Sequence, residues 1–351
     1  MRSIRSALLF AAVAAFLVAL PTARADGQPA QNGPVKVFIL AGQSNMVGDG
    51  HLGPADIKGT LEYMVKSSDR TDRFEHLVDA GGEWVARDDV WYFQRQLVKT
   101  GRGAEQTIDA VDVAAELRPG LQGSGDRLRI GPELQFGHVM GDHFDNQVLI
   151  IKTAWGGKSL AVDFRPPSAG EPPYELKANK SGVKPDVGKF YRLMLADVKY
   201  VLDHLEEHFP GYDGQGYEIA GFGWHQGWND GCNALFADEY EANLPRFIAD
   251  VRKDLGARDL PVVVATSGFG GHAEGLPGVR ARIKAVVEPA QIAAGESVVN
   301  VTSVPTRDFF RPREESPTGA SYHWNSNAET YFLIGDSMAK AMIALMEASA
   351  E

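Results

Sequence analysis

The chain has 351 residues, enough for one large domain or two ordinary ones, and 44% of them are hydrophobic, as in folded globular proteins. Its formal net charge of -11 argues against nucleic acid and anionic membranes as partners, because both repel an acidic surface. The single cysteine, Cys232, excludes an intramolecular disulfide and a thiolate metal site. We expect Cys232 to be a buried small apolar residue.

The first 25 residues have the pattern of a secretory signal peptide. Arg2 and Arg5 precede an apolar run over 7–20, and Ala23 and Ala25 supply the small residues of a cleavage site. The run is short for a membrane span, so an uncleaved anchor is the less favoured alternative. We therefore predict export to the periplasm or the extracellular space, without integral membrane association after cleavage.

After a polar linker at 26–34, residues 35–351 predict a single domain in which apolar runs alternate with helical periodicity. The runs that predict strands are 35–41, 147–155, 217–225, 260–268 and 297–304. The segments that predict helices are 131–144, 189–209, 238–255, 278–294 and 327–347. Near-continuous apolar runs suit strands buried on both faces, and the alternation predicts a doubly wound α/β/α sandwich with a mostly parallel sheet.

Residues 49–130 break this alternation, because they are polar and glycine-rich and contain no convincing crossover helix. We interpret them as a long insertion after the first strand, with small β pieces of its own. Ligands of doubly wound sheets bind beyond the carboxyl ends of the strands, where this insertion emerges. It is therefore a candidate wall or lid of a site, and a purely structural or disordered excursion is the alternative.

Four segments place candidate chemistry at that edge of the sheet. Ser44, in AGQSNM after the first strand, is a candidate nucleophile, although a lone serine there is more often a helix N-cap. The glycines of AWGGKSL leave backbone N–H groups open to a ligand, and HQGWND offers the Gln226 amide. His323, before the last helix, is a candidate base with an expected pKa of about 6 to 7.

These segments resemble the motifs of the SGNH hydrolase superfamily, in the sialate O-acetylesterase-like branch that includes carbohydrate esterase family six. The similar blocks are GQSNM around Ser44, WGGKSL, WHQGWND and YHWNSNAETYFLIGDSMAKAM. The resemblance covers essentially the whole mature chain. It implies a three-layer α/β/α sandwich with a five-stranded, mostly parallel, flavodoxin-like sheet.

The resemblance further implies a secreted serine esterase that removes O-acetyl groups from carbohydrates, as a sialate O-acetylesterase or acetylxylan esterase does. Ser44 is then the nucleophile that forms an acyl-enzyme, and His323 is the base. The implied oxyanion donors are the N–H groups of Ser44 and Gly157 and the side chain of Gln226. An acetylated carbohydrate is the expected partner, and no metal or cofactor is implied. Candidate substrate contacts are Asn45, Trp155, His225 and Trp228.

Two positions depart from the pattern of the family and leave the third triad member open. Many members carry an aspartate three residues before the catalytic histidine, where this chain has Ala320, and a glutamate after HQG, where it has Trp228. A backbone carbonyl is one substitute for the acid. A catalytically weak or inactive carbohydrate-binding relative of the same fold is therefore the alternative function. The candidate acids, in order of preference, are Asp230, Glu315, Glu314 and Asp308.

Overall fold

The computed structural model describes residues 33–100, 107–123, 125–178 and 182–350. The predicted signal peptide (1–25) and nearly all of the predicted linker (26–34) lie outside these ranges, so both stay predictions. None of the helices within the described ranges is long and apolar enough to cross a membrane.

Strands and helices alternate along the described chain. The strands are β1 (Val35–Gly42), β2 (Gly50–His51), β3 (Arg87–Thr100), β4 (Thr107–Leu117), β5 (Arg129–Ile130), β6 (Val148–Ala154), β7 (Tyr217–His225), β8 (Val262–Ala265) and β9 (Val301–Val304). The helices are α1 (Ser44–Val47), α2 (Leu61–Lys66), α3 (Glu133–His143), α4 (Lys189–Asp203), α5 (Leu205–His208), α6 (Trp228–Gly231), α7 (Ala234–Asp238), α8 (Tyr240–Asp254), α9 (Gly278–Arg282), α10 (Glu288–Ser297) and α11 (Ala328–Ala350). A π-helical turn at Ile283–Val287 joins α9 to α10.

The described residues form a seven-stranded sheet in the order β4-β3-β6-β1-β7-β8-β9. The core strands β6, β1, β7, β8 and β9 pair in parallel. Numbered among themselves in chain order, they have the flavodoxin-like arrangement 2-1-3-4-5. The predicted sandwich and sheet type are therefore confirmed, but five is too few strands, because β3 and β4 from the insertion extend the sheet beside β6.

Helices cover both faces of the sheet. α3 and α11 pack together on one face, and α4, α8 and α10 lie on the other. Gly221 and Gly223 in β7 allow α11 to approach, since a Cβ at Gly221 would lie 2.6 Å from Met342 Sδ and one at Gly223 would lie 2.8 Å from Met338 Cε. Cys232 is exposed, contrary to expectation, because it follows α6, whose buried residues are Asp230 and Gly231.

The insertion at 49–130 consists of three kinds of structure. α2 and the short 3-10 turns after it pack through Leu61 and Phe74 against Phe332 of α11. β3 and β4 form a long antiparallel ribbon at the edge of the sheet. β2 pairs with β5, so the first residues of the insertion lie beside its last ones, at the end of β1 where the candidate nucleophile stands.

A buried ion pair fixes the segments around α1. Lys152 Nζ lies 2.6 Å from a carboxylate oxygen of Glu133, and the two side chains are 0% and 4% exposed. Lys152 also donates to the carbonyl of Val47 at 2.7 Å, and Glu133 accepts from the N–H of Gly131 at 3.0 Å. Burial lowers the pKa of Lys152, and the charge of Glu133 opposes this. The pair therefore connects β6 to the end of α1 and to the segment after β5.

We expect Lys152→Met to lower the free energy of unfolding by about 3 to 5 kcal/mol, because it leaves Glu133 buried without a counter-charge. Replacing both residues, as Lys152→Met with Glu133→Leu, should recover most of this loss. Lys340→Met, which breaks the exposed pair with Asp336, is the matched control and should cost about 0.5 kcal/mol or less. Urea unfolding followed by circular dichroism measures all three, and equal losses for Lys152→Met and Lys340→Met would contradict the expectation.

Candidate active site

Ser44 is the first residue of α1, directly beyond the carboxyl end of β1. The N-cap position is occupied by Gln43, which makes no side-chain capping bond, so Ser44 is not the cap. Gly42 has a φ of +154°, and a Cβ there would overlap the carbonyl oxygen of His225. A glycine at this position therefore lets the chain pass close to β7 as it turns into α1.

His323 lies against Ser44, although 279 positions separate them: its Nε2 is 2.9 Å from Ser44 Oγ. The histidine belongs to a 3-10 turn at Ser321–Ser326 that precedes α11. The next residues, Trp324, Asn325 and Ser326, have left-handed φ angles of 50°, 56° and 59°. Such a run costs roughly 1 to 2 kcal/mol per residue.

Contacts on both sides hold this left-handed turn. Trp324 is fully buried, and Asn325 Nδ2 donates to the carbonyl of Arg311 at 2.9 Å. The N–H of Asn325 donates to the carbonyl of Ala320 at 3.0 Å, which folds the turn back on itself. Packing therefore maintains a backbone that directs the His323 ring toward Ser44.

The carboxylate behind His323 is that of Asp49. Asp49 Oδ2 is 3.4 Å from His323 Nδ1, and it accepts a hydrogen bond from Ser326 Oγ at 2.7 Å. The other oxygen, Oδ1, pairs with the guanidinium of Arg129. Asp49 is 5% exposed. The residues Ser44, His323 and Asp49 therefore have the connectivity of a Ser-His-Asp triad.

Sequence reasoning missed Asp49. The available signal was its place five residues after Ser44, between α1 and the insertion. An acidic residue so close to the nucleophile has to remain at the same edge of the sheet.

The prediction of Asp230 as the triad acid is wrong. Asp230 is fully buried and accepts hydrogen bonds from the N–H groups of Leu160 and Ala161, both at 2.9 Å. It also accepts from Gln226 Nε2 at 2.5 Å. Burial raises the pKa of Asp230 to about 7, despite these hydrogen bonds. Asp230 therefore joins the loop after β6 to the loop after β7, and it does not contact His323.

The remaining candidate acids also point elsewhere. Glu314 and Glu315 are exposed side chains of a short 3-10 turn, and the Glu315 carbonyl accepts from Asn327. Asp308 pairs with His272 Nε2 at 2.6 Å on the surface. Neither type of contact orients the ring of His323.

Burial, and then the positive charge of Arg129, lower the pKa of His323 to about 4. This value lies below the range of 6 to 7 expected from the sequence, because the sequence shows neither the burial nor the charge. The imidazole is therefore neutral at pH 7. Neutral imidazole is the form that accepts a proton from a serine hydroxyl.

Space above Ser44 is left by the two glycines after β6. A Cβ at Gly156 would lie 4.0 Å from the Cβ of Ser44. Gly157 has a φ of +68° and is exposed, and among the described residues no atom other than those of its chain neighbours lies within 4 Å of where its Cβ would be. This turn therefore offers room for a small acyl group beside the serine.

Gln226 does not present a free amide to this space. Its Nε2 donates to the carbonyl of Lys158 at 2.9 Å as well as to Asp230, and its Oε1 accepts from Tyr240 at 3.0 Å. An amide nitrogen carries two hydrogens, and both have partners inside the protein. The expected role as oxyanion donor is therefore replaced by a positioning role between the loops after β6 and β7.

The predicted substrate contacts Asn45, Trp155 and His225 are buried. Asn45 donates to the carbonyl of Tyr322 at 2.9 Å and accepts from the Tyr331 hydroxyl at 2.8 Å. Trp155 is 6% exposed and packs between aromatic rings of the core. Burial lowers the pKa of His225 to about 4, and its Nδ1 lies 3.2 Å from the carbonyl of Ala265. These three side chains therefore support the site from inside.

Trp228, the fourth predicted contact, is partly exposed next to the triad. Its ring centroid lies 5.9 Å from that of Tyr322 and 5.1 Å from that of Phe269. Tyr322 is 48% exposed, and its ring centroid lies 4.5 Å from that of His323. Tyr322 was missed, although its place directly before His323 was a usable signal. Trp228 and Tyr322 together form what we call the aromatic wall.

Among the residues that the structure describes, no group of three or more His, Cys, Asp or Glu side chains is arranged to hold a metal ion.

Residues 34–344 match the family described as carbohydrate esterase, sialic acid-specific acetylesterase. No curated protein sequence matches the chain significantly. A carbohydrate acetylesterase from Xanthomonas citri has a similar structure, with 14% identity and a TM-score of 0.50 over 89% of this chain and 56% of that one. A protein from Arabidopsis thaliana has 18% identity and a TM-score of 0.49, over 89% of this chain and 98% of that one. At 14% identity, the first likeness shows the fold alone.

We expect Asp49→Asn to lower kcat for an aryl acetate by about 10²- to 10⁴-fold, because the ring loses the acceptor that fixes its tautomer. Adding Ala320→Asp to this variant places a carboxylate three residues before His323 and should restore part of the rate. Asp308→Asn is the exposed control and should leave kcat unchanged. Initial rates of aryl acetate hydrolysis give kcat for variants whose circular dichroism spectra match that of the wild type. A larger loss of kcat for Asp230→Asn than for Asp49→Asn would contradict the expectation.

Proposed function

Because the chain belongs to the carbohydrate esterase, sialic acid-specific acetylesterase family, a family of carboxylic ester hydrolases, we propose that it removes O-acetyl groups from carbohydrates through an acyl-enzyme on Ser44. The observation that carries this proposal is the contact of 2.9 Å between Ser44 Oγ and His323 Nε2. Asp49, 3.4 Å behind the ring, supplies the acid.

The first half of the proposed reaction forms the acyl-enzyme. His323 Nε2 takes the proton of Ser44 as Oγ bonds to the acetyl carbonyl carbon, and the carbonyl oxygen becomes an oxyanion. The bond between the acetyl carbon and the sugar oxygen then breaks, and His323 donates the proton to the departing sugar oxygen. The products of this half are the free sugar hydroxyl and an acetyl ester on Ser44.

The second half repeats these steps with water. His323 takes a proton from water as its oxygen bonds to the acetyl carbon, and the ester bond to Ser44 breaks with return of the proton to Oγ. Acetate leaves, and the enzyme is regenerated. The proposed oxyanion donors in both halves are the backbone N–H groups of Ser44 and Gly157, since Gln226 is engaged elsewhere.

Asp49 gives the ring the tautomer that this chemistry needs. A carboxylate beside Nδ1 favours the proton on Nδ1, which leaves the lone pair of Nε2 facing the serine. The alternative of a catalytically weak or inactive relative relied on the absence of the usual acids at positions 320 and 228. A buried carboxylate at Asp49 removes that support.

The aromatic wall supports a sugar as the group that carries the acetyl ester. Tyr322 presents ring surface directly beside His323 and Trp228 lies against Tyr322, and aromatic rings bury large apolar area against flat ligand faces. The description of the family makes O-acetylated sialic acid the first substrate to test. We also propose that the protein is exported, which the leader-like pattern of residues 1–25 supports.

Ser44→Ala tests the proposed nucleophile. We expect acetate release from an aryl acetate and from O-acetylated sialic acid to fall by at least about 10³-fold, because the acyl-enzyme no longer forms. Ser349→Ala, on the distant end of α11, is the control and should retain full activity. Acetate is quantified directly, and equal rates for Ser44→Ala and the wild type would rule out the serine mechanism.

Tyr322→Ala tests the aromatic wall. We expect KM for an acetylated glycan to rise by about fivefold, with little change in kcat for an aryl acetate, because ring contact with the sugar is lost while the triad remains. Tyr322→Phe should behave as the wild type. Tyr217→Ala is the control, since Tyr217 is 45% exposed at the opposite end of β7. A parallel loss on both substrates in initial-rate assays would show that Tyr322 maintains the triad instead.

A further inference from the structure

The carboxylate of Asp49 is shared between His323 and Arg129. Oδ2 faces the ring at 3.4 Å, and Oδ1 pairs with the guanidinium. Arg129 is in β5, where it pairs across to His51 in β2, two residues after Asp49. The ion pair therefore forms where the insertion begins and ends, and it connects the insertion directly to the triad.

The charges around the ring give Arg129 a specific effect. The ring itself meets Ser44 and Asp49, and the Lys152–Glu133 pair, which contacts the last residue of α1, has its charges matched. Arg129 is a cation, and its side chain is 34% exposed, so solvent screens it only in part. The other titratable groups nearby are Tyr322, which contacts the ring, Tyr331, whose hydroxyl lies 3.3 Å from the carbonyl of His323, and His51 on β2.

We propose that Arg129 is a positioning residue of the triad, which balances the charge of Asp49 and thereby keeps His323 in its neutral, proton-accepting form in acidic solution. This inference rests on the proposed function. Without Arg129, the buried charge of Asp49 would be balanced only by protonation of His323. An imidazolium in the resting enzyme cannot accept the proton of Ser44.

The direction of the titration agrees with this geometry. Burial is the larger cause and the positive charge of Arg129 the second cause of a pKa of His323 of about 4. Removing the cation leaves Asp49 unpaired, and both changes favour the imidazolium, so the pKa of His323 rises. The acid limb of kcat/KM, which follows the neutral base, then moves to higher pH.

The test compares pH profiles of kcat/KM for an aryl acetate. Arg129→Gln should move the acid limb upward by about one to two pH units. If the shift is two units, kcat/KM of this variant should be about tenfold lower at pH 5 than at pH 8. Arg129→Lys keeps the charge and should restore most of the wild-type profile. Arg127→Gln removes an equal charge from an exposed position two residues away and should change nothing. An unchanged limb in Arg129→Gln overturns the inference.

Titration of His323 by NMR, with ¹⁵N-labelled histidine, provides a readout that does not depend on turnover. The signal of His323 is assigned by its loss in His323→Gln. A wild-type pKa near 4 that rises in Arg129→Gln supports the inference, and a wild-type pKa of 6 or above overturns it even when Arg129→Gln does not fold. Absence of turnover in the wild type would overturn the proposed esterase function, while this titration would still decide the effect of Arg129 on His323.

Discussion

Asp49 joins two segments that lie far from it along the chain. Its carboxylate meets the ring of His323 before α11, the hydroxyl of Ser326 in the left-handed turn, and the guanidinium of Arg129 at the end of the insertion. A buried carboxylate needs such partners, because a charge without them is strongly disfavoured inside a protein. The requirement to satisfy this single group therefore determines how the insertion and the last loop dock onto the end of β1.

The rest of the site consists of buried polar groups that hold short loops in place. The Lys152–Glu133 ion pair holds the end of α1. Hydrogen bonds of Asp230 and Gln226 join the loops after β6 and β7. Short loops have little packing of their own, so such hydrogen bonds supply the rigidity that a reacting geometry within a few tenths of an ångström demands. Several side chains in the motif blocks act in this way and support the site without contacting the substrate.

Continuous apolar sequence made the buried parallel strands readable: the predicted strand at 217–225 coincides with β7, and 35–41 lacks only Gly42 of β1. For the insertion the sequence predicted only small β pieces, and the extension of the main sheet by β3 and β4 was missed, because an antiparallel ribbon at the sheet edge tolerates polar and charged side chains. Motif blocks identified Ser44 and His323, which the structure brings into contact. Spacing relative to His323 did not predict the acid, because any segment that folds to the same edge can supply it. Asp230 was chosen for its place in a motif, but hydrogen bonds to the backbone of Leu160 and Ala161 decide its role.

Asp49, the acid of the proposed triad, lies five positions after Ser44 and far from His323 along the chain. In chain order, the serine therefore comes first, the aspartate second and the histidine last, and the serine and the aspartate lie within one short segment. A search pattern that demands an aspartate three positions ahead of the histidine would discard such chains as inactive. Relatives with an alanine there deserve inspection just downstream of their GQSN block, where a compensating carboxylate would mark a working hydrolase.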